Sequence, residues 1–166
     1  TFTGTVMWDS TQTSMTSTAN GLRSPDISYA GSTLSWSTLY YWRIRFTDSL
    51  GATGSWSATQ SFTMNTTVAT PSLLSPSNTA NNVNLSPTLQ TSATDTDSDY
   101  LRYKFELCTD VGMTVGCQTF DQTSSQTGWS GQNAQTSTAY TSGSTASYTL
   151  SSTLTPATTY YYRSYA

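Results

Sequence analysis

The sequence predicts an all-β protein, and three observations carry that prediction. Apolar and polar residues alternate at a period of two in its best-defined segments. No apolar pattern recurs at the i, i+3, i+4, i+7 spacing of an amphipathic helix. One arrangement of Leu, Thr and Tyr occurs twice, about two-thirds of the chain apart.

The alternation is clearest in two stretches. In residues 40–46, Tyr40, Trp42, Ile44 and Phe46 fall on one face of a strand, with Tyr41, Arg43 and Arg45 on the other. In residues 101–107, Leu101, Tyr103, Phe105 and Leu107 oppose Arg102, Lys104 and Glu106. Thr, Ser and Gly, all poor helix formers, fill much of the remainder. Turns are signalled by LGATG at 50–54, VGMTVG at 111–116 and SGST at 142–145. Short strands separated by such turns predict β-sandwiches.

Composition narrows the function. The 166 residues leave room for one large or two small domains. Six Lys and Arg stand against nine Asp and Glu, giving a net charge of −3 with no basic patch, which argues against nucleic acid as a partner. There is no His, so the commonest general base and metal ligand is missing. No apolar run is long enough to span a bilayer as a helix, and no basic-then-apolar leader opens the sequence. Only 35% of residues are hydrophobic but 13% are aromatic, so rings must supply much of the core, each large side chain contributing about 1.5–3 kcal/mol when buried. A disordered Thr/Ser-rich stalk is the competing reading, and the regular spacing of the aromatics stands against it.

The repeat sharpens the fold. Leu34, Thr38, Tyr40 and Tyr41 recur with the same spacing as Leu154, Thr158, Tyr160 and Tyr161, and each set follows a Tyr-bearing segment, Tyr29 or Tyr148. The second copy reads L-x-P-x-T-x-Y; the first has Trp36 in place of the proline. This resembles the turn into strand F of a fibronectin type III domain, a resemblance that makes Tyr40 and Tyr160 tyrosine corners tying that strand to the preceding turn. YYWRIRFTDSLGATGSWSATQSF extends the similarity through the F to G hairpin, as in modules of large bacterial surface proteins and of multidomain secreted carbohydrate-active enzymes. The implied architecture is two immunoglobulin-like, fibronectin type III-like sandwiches in tandem. Facing strands would set Trp56 against Arg43 and Arg45 as a structural stack.

Residues 65–70 read as the linker, with Pro71, Pro76 and Pro87 suited to edge strands and turns. Residues 1–67 then hold strands C to G of a first module, starting at TFTGTVMW. Residues 68–166 hold strands A to F of a second: A near 72–74, B at 88–93, C at 101–107, C′ at 118–122, E near 148–150 and F at 160–166. Each module is expected to be incomplete at its outer end. Either the segment is a window on a longer array, or neighbouring subunits complete its open sheet edges.

Four groups of residues are candidates for chemistry. Cys108 and Cys117 flank a short hairpin that can bring them together as a disulfide, which implies an oxidising, extracellular setting; two thiols without His cannot fill a tetrahedral metal site. Asp95, Asp97 and Asp99 alternate in a loop, a presentation suited to weakly bound Ca²⁺ or to a solvated turn, and they lack the Gly and Glu of an EF-hand. Trp129 with Gln132, Asn133 and Tyr140 offers a ring for a sugar face and amides for its hydroxyls, or else a Trp capping the sandwich. Asn65 and Asn84 match the N-glycosylation pattern.

Catalysis is not expected. A Ser or Thr nucleophile lacks a His base, and the single Glu, Glu106, lies on a strand's polar face. The sequence therefore reads as a structural or adhesive module of an extracellular or cell-surface repeat protein or fibre, with neighbouring copies as partners and strand sharing as the means of assembly. The alternative is an accessory carbohydrate-binding module of a secreted polysaccharide-degrading enzyme, with glycans as partners.

Overall fold

The computed structural model describes residues 3–166 except 12, 17 and 20. The chain is all-β, with no helix among the described residues, and divides into two compact units, Thr1–Asn65 and Thr66–Ala166.

The first unit is organised around one hairpin. Strand β1, Leu39–Trp42, pairs antiparallel with β2, Gln60–Thr63, with Tyr40 opposite Phe62. Beyond Trp42 the two arms stay tied: Ser57 N donates to Ile44 O at 2.8 Å and Gly54 N to Phe46 O at 2.9 Å. At the tip, Asp48 Oδ1 accepts from Leu50 N and Ala52 N, both at 2.9 Å, and Gly51 takes a φ of 91° that favours glycine. The regular strand is thus shorter than the 40–46 alternation suggests. The face carrying Tyr40, Trp42, Ile44 and Phe46 is not buried either, because no opposing layer covers it among the described residues. Thr1 and Phe2 of the expected opening strand lie outside the described residues, residues 3–8 form no strand, and Tyr29 lies outside any strand, its ring edge-on to Trp8 at 5.2 Å.

The second unit is a two-layer immunoglobulin-like sandwich. One sheet has the order β3–β4–β8–β7, formed by Ser72–Ser75, Thr88–Ser92, Ala146–Thr149 and Trp129–Ser130. The other has the order β6–β5–β9, formed by Gln118–Asp121, Lys104–Cys108 and Tyr161–Tyr165. These strands occupy the stretches read as A, B, C, C′, E and F; β7 is additional. Strand β5 starts later than its sequence pattern because Leu101 pairs with Tyr140 in an isolated bridge and Tyr103 O accepts Gln122 N.

Period-two patterning decides the core here. Leu101, Tyr103, Phe105 and Leu107 are all buried, while Arg102 is exposed and Lys104 and Glu106 are half-buried. From the opposite sheet, Leu89, Ala146, Tyr148 and Leu150 meet them. Phe105 stacks on Trp129 with ring centres 5.4 Å apart, and Tyr103 meets Tyr140 edge to face at the same separation. Polar groups drawn inside are satisfied: Gln122 accepts from Tyr103 N and donates to Thr138 O, and Tyr103 Oη accepts from Ala93 N.

The repeated sequence folds as a repeated turn. Ser35 N donates to Tyr40 Oη at 2.9 Å, and Thr155 N to Tyr160 Oη at 3.1 Å. Thr38 Oγ1 donates to Trp36 O as Thr158 Oγ1 does to Pro156 O. Ser37 and Ala157, at matching positions, both have a φ of 54°. Trp36 therefore supports the same turn as Pro156: proline presets the φ of that corner, and the remaining hydrogen bonds do not require it.

Candidate functional site

The surface chemistry of the chain is best built from its carboxylates, nine Asp and Glu against six Lys and Arg. Most cap turns. Asp95 Oδ1 accepts from Asp97 N at 2.9 Å and Asp99 N at 3.2 Å, and Asp97 Oδ2 accepts from Thr66 N and Thr66 Oγ1 at 2.6 and 2.7 Å. These bonds hold the Asp97 carboxyl below its usual range. Asp95 Oδ1 and Asp97 Oδ2 are thus engaged within the protein, and the three Asp do not gather as a ligand set among the described residues.

Cys108 and Cys117 form a disulfide with Cα atoms 4.1 Å apart across the mouth of the β5–β6 hairpin. Inside the loop, Asp110 accepts from Val115 N at 2.7 Å, Thr114 N at 2.8 Å and Thr114 Oγ1 at 2.9 Å, and those hydrogen bonds lower its pKa. Cys108, Asp110 and Cys117 bring three ligand-type atoms within 4.8 Å, but both sulfurs are spent on each other. Sequence reasoning passed over Asp110; its signal is an Asp four residues before Thr114 in a Gly-rich turn.

Glu106 sits between two cations. Arg163 donates to its Oε2 at 2.7 Å from Nε, and Lys104 Nζ lies 3.5 Å from Oε1. The Arg163 hydrogen bond, before any other cause, depresses the Glu106 carboxyl. A carboxylate so paired is a poor proton donor at neutral pH. In the first unit the guanidinium carbons of Arg43 and Arg45 lie 4.2 and 4.4 Å from the Trp56 ring centre, the structural stack read from the sequence.

The sugar platform read from the sequence is corrected. Trp129 is only 8% exposed, stacked on Phe105 and tilted against Tyr148; Tyr140 is fully buried and donates to Ser130 O at 2.9 Å. Both rings were drawn inward because β7 adds Trp129 to a sheet, where its side chain meets the opposing layer. Asn133 turns inward on its own loop, with Oδ1 accepting Gln135 N and Nδ2 donating to Thr141 Oγ1. Gln132 is half-buried beside it. A sugar needs an exposed ring face, and this quartet does not present one.

Phe120 and Tyr148 stack with centres 4.5 Å apart and, with Trp129, form the inner wall of a shallow depression whose rim carries Asp121, Ser124, Thr127 and Ser151. Their sequence signal is an aromatic, Phe120, beside the turn-capping Asp121 in the stretch read as strand C′.

No helix among the described residues is long and apolar enough to cross a membrane. No curated protein and no solved structure matches the chain. Residues 4–67 match the family model of the Rha78A-like, N-terminal immunoglobulin domain.

Proposed function

We propose that the chain is a non-catalytic immunoglobulin-like module of a secreted, glycan-acting multidomain protein, where it holds or spaces neighbouring parts. The observation that carries this reading is the match of residues 4–67 to an N-terminal immunoglobulin domain of Rha78A-like proteins, a glycoside hydrolase family. The side chains support it. Asp48, Asp95, Asp97, Asp110 and Asp121 cap turns, and Glu106 is neutralised by Arg163 and Lys104. A glycosidase needs two carboxyl groups facing one another across a bond, about 5–9.5 Å apart. The Cys108–Cys117 disulfide supports an extracellular setting. The test is release of reducing ends from soluble oligosaccharides by the 166-residue chain: no turnover is expected, and release proportional to chain concentration would overturn the reading.

A structural or adhesive role in a repeat protein or fibre is the second reading, with neighbouring copies sharing strands. It is favoured by β9, which among the described residues is the edge strand of its sheet, its backbone ladder formed with β5 on one side. Sedimentation equilibrium decides it. Multiples of 18.0 kDa that dissociate on dilution favour this reading, and a single species of 18.0 kDa at all concentrations contradicts it.

A further inference from the structure

The strand that follows the repeated turn has two edges, and among the described residues the two units pair different ones. In the first unit Met64 N donates to Thr38 O, so in the ladder that sets Tyr40 opposite Phe62 and Trp42 opposite Gln60, Tyr40 and Trp42 direct their backbone N–H and C=O toward β2. In the second unit Gln122 N donates to Tyr103 O, so Tyr103, Phe105 and Leu107 direct theirs toward β6, and Lys104, Glu106 and Cys108 toward β9. Their partners Tyr165, Arg163 and Tyr161 face β5 in return, which turns Tyr160, Tyr162 and Ser164 to the other edge. Tyr160 and Tyr162 stand where Tyr40 and Trp42 stand in the first copy of the repeat. The edge of β9 that pairs with no strand among the described residues is therefore the edge that β2 fills on β1.

The side chains repeat the match. On one face of the first hairpin the Arg43 and Arg45 guanidinium carbons lie 4.2 and 4.4 Å from the Trp56 ring centre. Arg163 and Tyr165 occupy the matching positions of β9, both exposed. On the other face Tyr40 meets Phe62 with ring centres 5.9 Å apart, and Tyr160 is the half-buried ring at the matching position. Ser164 Oγ and Thr91 Oγ1 share a hydrogen bond of 2.8 Å, and Tyr162 Oη donates to Pro76 O at 2.7 Å. Side chains thus hold β9 to the opposite sheet, and its backbone edge is spent on neither contact.

We propose that this edge takes residues 54–64 of a second copy as an antiparallel strand in the register of the first unit, with Phe62 opposite Tyr160, Gln60 opposite Tyr162, and Trp56 against Arg163 and Tyr165. The proposal rests on the strand-sharing reading and names the segment that is shared. A second copy suits the site because the exchange costs that copy one β1–β2 ladder and returns one of the same register. The move is also toward burial. All of β2 is exposed in its own hairpin, whereas Tyr160 and Tyr162 pack on the core of the second unit.

Two measurements on the 166-residue chain test it: sedimentation equilibrium, and titration of the ¹⁵N-labelled chain with a synthetic peptide of residues 54–64, followed by amide shifts. A species of twice 18.0 kDa that dissociates on dilution is expected. The peptide is expected to compete with that association and to shift the amides of Tyr160, Tyr162 and Ser164 in a saturable way. N-methylation of Phe62 in the peptide, whose N–H faces the ladder, should weaken binding about tenfold, whereas N-methylation of Ser61, whose N–H faces outward, should leave it unchanged. Dimers that the peptide neither binds nor dissociates overturn this site and leave strand sharing through another edge standing. A single species of 18.0 kDa with no peptide binding overturns both. Peptide binding by a chain that stays monomeric overturns the second copy as occupant, shifts confined to β1 overturn the β9 edge, and equal affinity of the two N-methyl peptides overturns the register.

Discussion

The phenol oxygen of Tyr160 accepts the backbone N–H of Thr155 at 3.1 Å, and this bond fastens the start of β9 to the turn before it. Tyr40 repeats the relationship with Ser35 at 2.9 Å in the other unit. Tyr160→Phe keeps the ring and removes only the acceptor, so it should lower stability by about 0.5–1.5 kcal/mol. Tyr40→Phe should act in the same direction. Urea unfolding of each variant checks the point; a midpoint equal to wild type would mean that water serves the amide equally well.

The paired turns carry a conformational cost that a single substitution relieves. Ala157 holds a φ of 54°, where an L side chain costs roughly 1–2 kcal/mol and glycine nearly nothing. Glycine loses about 0.5–1 kcal/mol through its freer unfolded chain. Ala157→Gly should therefore raise stability slightly, by about 0.5 kcal/mol, and thermal unfolding should show an increase in Tm. A decrease would show that the alanine methyl packs more favourably than its backbone is strained.

Closing a loop with a sequence separation of nine, the Cys108–Cys117 bridge should stabilise the chain by about 2–3 kcal/mol, chiefly through the unfolded state. Denaturant unfolding with and without reductant measures this directly. Equal midpoints would show that the Asp110 hydrogen bonds and the β5–β6 ladder hold the hairpin without it.

Stability should fall at both ends of the pH scale, for opposite reasons. Hydrogen bonds depress the folded pKa of Asp97, Asp110 and Asp121, and the Arg163 hydrogen bond depresses that of Glu106. On acidification the unfolded chain takes up these protons first. Their contribution is thus present above the ordinary values of 3.8 and 4.5 and is lost as the pH falls through the lower folded values. At the alkaline end, burial pushes the Tyr140 phenol up from 10.0 to about 12, so its contribution holds below 10.0 and is lost as the pH rises through about 12. Unfolding free energy measured against pH should show both limbs, and Asp110→Asn should make the acid limb shallower.

How legible the fold was depends on where a side chain's partner lies. The alternation of Leu101, Tyr103, Phe105 and Leu107 has one physical solution, burial of one face, and the second unit adopts it. The repeated Leu, Thr and Tyr were readable because the turn is local: the hydrogen bonds that both copies share join residues two to five apart. Whether Trp129 faced a sugar or capped the sandwich stayed open in the sequence because its environment comes from Phe105 and Tyr148, distant in sequence, and because a two-residue strand leaves no period to detect. The Asp95–Asp99 loop stayed open between a cation site and a solvated turn because alternating carboxylates look the same in sequence whether they face an ion or cap their own backbone; the bonds from Asp97 N, Asp99 N and Thr66 N show the capping. The Phe120–Tyr148 depression was invisible because it joins the edges of two sheets.

Amide hydrogen exchange tests most directly the claim that the rings of the second unit form a structural core and not an exposed binding platform. Slow exchange is predicted at the β4, β5 and β8 amides and at Trp129, with exchange in the exposed β1–β2 hairpin much faster. Exchange at Trp129 and β8 as fast as in β1 and β2 would contradict the account and return Trp129 to the surface.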